Sequence, residues 1–217
     1  MAREFRRKKR NIVTRQQKPL ILLIAEGKNV TESQYFKSFQ DQHAGYNIRI
    51  LIPGHITDPK GMQKMVLKYW NQYDMDEEKG DIAFIVLDLD CDREKGKLIQ
   101  KLAQNSKRVQ FVVSNPCFEV WFLFHFRYST HAYYTSAEAV KDLKNYIPNY
   151  EKNLDVAPLI VDDLGTAMKN AERIKKHYED LGAEWPSNAC NPRTDVPVII
   201  DAMKEYKTGK QRSDANK

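Results

Sequence analysis

LILLIAEGKNVTESQYF, from Leu20 to Phe36, is the stretch whose reading decides the fold. Leu20 to Ile24 and Ala25 form a continuous apolar run, the pattern of a short strand covered on both faces. Glu26 ends the run and Gly27 permits a tight turn. Thr31 with Gln34 then reads as a capping box opening a helix to about Gln42. A carboxylate at the carboxyl end of a buried parallel strand stands where open α/β sheets place their ligands. Taken alone, Glu26 reads equally well as a solvated loop residue. DIAFIVLDLDCDRE, from Asp81 to Glu94, repeats the arrangement: a buried strand over Ile82 to Leu87, then acids at Asp88, Asp90 and Asp92.

Between and after these two stretches the periodicity alternates regularly. Tyr46 to Ile52 reads as a strand closed by Pro53 and Gly54. Gly61 to Tyr73 has helical spacing at Met62, Met65, Val66, Tyr69 and Trp70. Arg93 to Gln104 reads as a third helix and Val109 to Val113 as a fourth strand. The order predicts a parallel sheet of about four strands with right-handed crossovers, in the order 2-1-3-4. That order sets the first and third strands side by side and brings Glu26 to the Asp88/Asp90 pair. On an extended segment the two aspartates face the same side and Leu89 faces the core.

SNPCFEVWFLFHF, Ser114 to Phe126, predicts a helix with Asn115 and Pro116 at its cap and first turn. Apolar nearly all round, it is expected to be buried, which makes Glu119 conspicuous: a buried carboxylate must be paired, hydrogen-bonded or bound to metal. The plain alternative is that Glu119 complements the helix N-terminus. His125 reads as a core histidine. Helices follow at Ala137 to Asn145, Thr166 to Leu181 and Val196 to Tyr206, with NPRTDVP as a loop in which Thr194 or Asp195 caps the last. The expected organisation is a basic arm over 1–18, an α/β domain over 19–128, a helical extension over 129–207 packed on it, and a basic tail over 208–217.

The chain of 217 residues carries a net charge of +6, placed mostly at its ends. Residues 1–18 hold eight Lys/Arg against Glu4, and residues 207–217 hold four against Asp214, so the body between is mildly acidic. Such arms suit phosphate backbones, or serve as solvated tails. Three cysteines without CxxC spacing argue against a disulfide framework or a zinc site and fit a reducing cytoplasm. No apolar run reaches the roughly 20 residues of a membrane span. The basic start has no apolar segment of the secretory kind.

Two carboxylates held as closely as Asp88 and Asp90 repel one another, and a cation relieves the repulsion. Hard oxygen ligands suit Mg²⁺ or Mn²⁺, which can activate water and stabilise a phosphoryl transition state. Lys28 and Arg93, beside these acids, are candidate contacts to a substrate phosphate. Asp92 and Glu32 read as solvated or capping. The sequence has no GxxxxGK[ST] loop, GxGxxG, GxSxG or HExxH. A receiver-like phosphorylation domain also places acids at strand ends, but it wants an acid pair early in the chain where this sequence offers Glu26 and Gly27.

AEGKNVTESQYF, VLDLDCD, SNPCFEVWFLFHF and NPRTDV together resemble the RloB family, which includes the AbiL second component. The resemblance runs from about Leu20 to Tyr206. Members are similar to Toprim proteins, whose metal site uses a strand-end Glu and a DxD pair. The resemblance therefore implies a Toprim-like, Rossmann-like fold in which Glu26, Asp88 and Asp90 are metal ligands and catalytic residues, with Glu119 a further catalytic candidate. It implies a Mg²⁺-dependent nuclease of antiviral defence, acting in the cytoplasm on tRNA or DNA, with an ABC- or SMC-type ATPase as partner and a homo-oligomer as a possible form. The rival readings are a non-catalytic module binding nucleic acid or the ATPase, and a nucleotide-processing or phosphotransfer Toprim protein.

Overall fold

The computed structural model describes residues 18–26, 30–40, 45–104, 106 and 108–207. The basic arm up to residue 17, Lys28 in the turn after Glu26, and the tail over 208–217 lie outside the described residues. β1 (Leu20–Ala25), β2 (Asn47–Leu51), β3 (Ile82–Asp88) and β4 (Val109–Asn115) form the parallel part of the sheet. The helices between them are α1 (Val30–Lys37), α2 (Pro59–Gln72) and α3 (Arg93–Gln104). After β4 come α4 (Glu119–Phe126), α5 (Ser136–Leu143), the short α6 (Ala157–Ile160), α7 (Leu164–Asp180), β5 (Arg193–Thr194) and α8 (Val196–Lys207).

The sheet order is β2-β1-β3-β4-β5, with β5 antiparallel to β4. This is the expected 2-1-3-4 order with a fifth strand added. β5 falls in the stretch expected to be a loop. Its two residues are held by pairing with Ser114 and Asn115 and by a 2.7 Å hydroxyl contact between Ser114 and Thr194. A strand this short has no periodicity of its own to read.

Alternate residues of each central strand enter opposite cores, as the period of two requires. Ile21, Leu23, Phe84, Val86 and Val112 pack with the helices that follow β4, whereas Leu22, Ile24, Ala83, Ile85 and Val113 pack under α2 and α3. The first core runs without a break through α4 to Tyr150, Ile174 and Ile199, so the residues after β4 share that face of the sheet with Tyr35 and Phe36 of α1. On the other face Met62, Val66 and Trp70 of α2 are buried, each contributing on the order of 2 kcal/mol. Among the described residues no helix is long and apolar enough to cross a membrane.

Two helix starts differ from expectation. Thr31 lies inside α1 rather than at its cap, and its hydroxyl donates to the Lys152 carbonyl oxygen. The capping box is replaced by this tertiary bond. Ser114 and Asn115 belong to β4, and α4 starts only at Glu119. Pairing with β5 on one side and β3 on the other holds these residues extended, overriding the cap preference of Asn115.

Candidate functional site

Glu26 follows β1 directly, and its backbone N–H donates to the Val86 carbonyl oxygen at 3.2 Å. The parallel ladder between β1 and β3 thus continues one residue beyond β1 and delivers Glu26 beside the end of β3, where Asp88 closes the strand. This is the switch point of the sheet, since β2 lies on the far side of β1 and β4 on the far side of β3.

Past Asp88 the chain does not stay extended. Leu89 donates its N–H to Ser114 O at 2.7 Å and is fully buried, as expected. Asp90 and Cys91 then adopt left-handed φ values of 55° and 59°. Asp tolerates this region and Cys adopts it rarely, so the turn carries backbone strain that surrounding bonds must hold. Asp90 N–H donates to Pro116 O at 2.9 Å and Cys91 N–H to Asn115 Oδ1 at 3.2 Å. The expectation that Asp88 and Asp90 project together from one extended segment is therefore corrected: Asp90 is aimed by a turn.

The buried Asn115 side chain also donates to Cys190 O at 2.9 Å and Ser187 O at 3.4 Å. Asn191 donates to Tyr133 O and to Cys91 Sγ, and accepts from Tyr133 N–H. The acid-bearing turn is thereby clamped to two segments distant in sequence.

The carboxylates near this edge act on one another through their charge. Burial pushes the Asp88 carboxyl well above the ordinary carboxylate range, and Glu32, Glu119, Asp90 and Glu26 push it the same way. Glu32, in α1, is held at about 7, chiefly by burial, with Glu119 and Glu26 adding to the shift. Glu32 was expected to be solvated or capping; α1 instead turns it inward to the cluster. Glu119 is buried in the first turn of α4 and accepts the Tyr150 hydroxyl at 2.9 Å. Among the groups acting on Lys152, Glu119 does most to raise its pKa, ahead of Asp88 and Glu32. Lys152 thus borders the cluster from the helical side.

Lys95 is the residue that sequence reading missed. Its Nζ lies 2.8 Å from Glu26 Oε2 and 3.2 Å from Asp90 Oδ2, with the side chain 14% exposed. Burial alone would lower the pKa of this ammonium, but the bonds and charges of Glu26 and Asp90 outweigh it and raise the value. Asp92 caps α3, accepting from Glu94 N–H at 2.8 Å and Lys95 N–H at 3.1 Å. Arg93 is exposed at the first residue of that helix. His125 is a core residue: its Nδ1 lies 3.0 Å from Trp121 O, and burial lowers its pKa to about 4.

Among the described residues no group of three or more His, Cys, Asp or Glu side chains stands in an arrangement ready to hold a metal ion. The donor chemistry nevertheless fits Mg²⁺ or Mn²⁺. All the donors are carboxylate oxygens, and after burial it is the neighbouring acids Glu32, Glu119, Asp90 and Glu26 that raise the Asp88 pKa, the crowding a hard cation relieves.

A family model described as RloB-like protein matches residues 21–203, which spans every element from β1 into α8. No curated protein and no solved structure matches the chain.

Proposed function

The chain belongs to the RloB-like family, and from that premise we propose that it is a Mg²⁺- or Mn²⁺-dependent nuclease effector of antiviral defence, cleaving tRNA or DNA under the control of a partner ATPase. The observation that carries this reading is the convergence of Glu26, Asp88 and Asp90, from the ends of β1 and β3, with Glu119 of α4 at the switch point of the sheet. Five carboxylates, counting Glu32, share one another's field there, an arrangement costly to folding unless it serves a cation.

In this reading Glu26, Asp88 and Asp90 hold the ion. When bound, the ion supplies Lewis-acid polarisation of a phosphoryl oxygen and lowers the pKa of a water. Glu32, whose carboxyl sits at about 7, is poised to accept a proton near neutral pH. Glu119, fixed by the Tyr150 hydroxyl, stands behind the site as the further catalytic candidate. Lys152, as a point charge, and the exposed Arg93 at the start of α3, as a planar fork, are the proposed contacts to phosphate. Lys28 keeps the same proposed role. The basic residues at both ends of the sequence would add contacts to the nucleic-acid backbone.

One observation favours a second reading, a binding module without catalysis. The Lys95 bridge pairs Glu26 and Asp90 internally, offsetting one of their two charges, as a structural ion-pair cluster would.

Glu26→Gln and Asp88→Asn separate the two. Each keeps side-chain size and removes an anionic ligand, while Asp92→Asn alters only the α3 cap. Profiling of RNA and DNA ends after induction, with and without the ATPase, is expected to show new ends for the wild type and Asp92→Asn. Folded Glu26→Gln and Asp88→Asn should give none. Cleavage retained in both variants would sink the metal mechanism, and no new ends for the wild type under either condition would leave the module.

A further inference from the structure

The first turn of a helix disfavours a cation, because the N–H groups and the macrodipole already place positive charge there. Lys95 occupies such a position, the third residue of α3. Its backbone has little freedom to move. Asp92 caps the turn, and Gln100 Nε2 donates to Pro186 O at 3.2 Å. Gly96 lies so close to Pro186 that a Cβ would come within 2.9 Å of the carbonyl oxygen. A helix fixed on both sides therefore presents an ammonium to two carboxylates that come from different strand ends, 69 and five positions away in sequence.

We propose that Lys95 is the resident counter-cation of the acid site, holding Glu26 and Asp90 together until a divalent cation displaces its ammonium. This deepens the nuclease reading and rests on it. The chemistry follows from the contacts. Glu26 Oε2 and Asp90 Oδ2 are the oxygens an incoming cation needs, and both are bonded to Nζ. A dication arriving while the ammonium remains in place meets like charge within a few ångströms. Entry therefore costs the Lys95 bonds, and the free protein binds the cation more weakly than its carboxylates alone would. The displaced ammonium stays tethered at the rim of the site, as a point charge available to a phosphate.

Titration of the full-length protein with Mn²⁺, read from the free-ion electron paramagnetic resonance signal without nucleic acid, tests this. Lys95→Gln and Lys95→Met are expected to bind Mn²⁺ about tenfold more tightly than the wild type, since a unit charge a few ångströms away is removed. Lys95→Arg, which keeps the charge, should bind as weakly as the wild type. Two neutral variants are carried so that failure of one to fold leaves the other, with thermal melts as the check. Glu26→Gln identifies the site, because binding there must weaken in that variant. Glu26-dependent binding that is equal or weaker in the neutral variants overturns the role of Lys95 and leaves the metal reading standing. Binding tightened as much by Lys95→Arg as by Lys95→Gln overturns it too, by removing the charge argument. Absence of Glu26-dependent binding in the wild type and both neutral variants overturns both.

Discussion

Tyr150 donates its hydroxyl to Glu119 Oε1 at 2.9 Å, joining a loop far down the chain to the first turn of α4 behind the acid cluster. Both groups are buried. The bond therefore couples the packing of the helices after β4 to the charge arrangement at the sheet edge.

Tyr150→Phe removes the donor and leaves Glu119 buried with that bond unmade. A loss of about 1–3 kcal/mol in unfolding free energy is expected from urea denaturation. In Glu119→Gln the side-chain oxygen can still accept from Tyr150, so adding Tyr150→Phe on that background should cost less than on the wild type. Equal costs on the two backgrounds would show that the charge of Glu119 is immaterial to the bond.

How much of this was legible depends on where the signal lies. The β1 and β3 runs are apolar because both faces of the sheet are covered, so LILLIA and IAFIVL announce buried strands and their terminal acids directly. The 2-1-3-4 order is the common arrangement of such an alternating β-α chain, with its first and third strands side by side. Lys95 was not legible: a lysine in a polar helix normally points to water, and only the position of α3 over the turn aims it at Glu26. Glu32 was hidden in the same way, by the orientation of α1. Asp90 was placed correctly but by the wrong geometry, since a DxD on paper looks extended and the left-handed turn is imposed by bonds from Asn115 and Pro116. One weak signal for Lys95 was available, its place in a first helical turn against the dipole.

Asn115 is the residue whose loss should disturb that turn most. Asn115→Ala removes the acceptor for Cys91 N–H and the donor to Cys190 O together. A destabilisation of about 2–4 kcal/mol is expected in thermal or urea unfolding, because the partners are left unsatisfied in a buried place. A change under 1 kcal/mol, on the order of a solvated surface site, would show that water replaces the side chain.

The pH dependence of stability, measured in EDTA, should report Glu32 and His125 with opposite signs. The Glu32 pKa is raised from 4.5 to about 7, so the native state holds the extra proton and stability falls as pH rises through that window. The His125 pKa is lowered from 6.5 to about 4, so the unfolded state holds the extra proton and stability falls as pH drops through that window. Each is worth at most about 3 kcal/mol, reduced by whatever water reaches the group. Between about 4.5 and 6.5 the two slopes oppose each other, and the wild-type profile from this pair is flat. Glu32→Gln removes one of them. Relative to the wild type, the variant is expected to lose less stability, or gain more, as pH rises from about 4.5 to 7, whatever Asp88 adds to both profiles; a profile parallel to the wild type would show that Glu32 titrates normally.

Gly96 and Gly165 offer the sharpest contrast, because both are helical glycines and intrinsic propensity treats them alike. Replacing either by alanine should stabilise a helix by up to about 1 kcal/mol. At Gly165, near the start of α7, an added Cβ meets nothing within 4 Å, so Gly165→Ala is expected to raise the melting temperature by a few degrees. At Gly96 the Cβ would stand 2.9 Å from the Pro186 carbonyl oxygen, which is backbone and cannot rotate away. Relief requires α3 or the Pro186 segment to shift, at a cost of about 1–3 kcal/mol that outweighs the propensity gain. Gly96→Ala should therefore lower the melting temperature while Gly165→Ala raises it. The shift should also reach the site, since Lys95 is the preceding residue and its ammonium must keep 2.8 Å from Glu26 and 3.2 Å from Asp90. Chemical shifts of the Lys95 side chain are expected to change in Gly96→Ala and to stay fixed in Gly165→Ala. Stabilisation by both alanines would show that α3 is free to move, and with it the ammonium it carries.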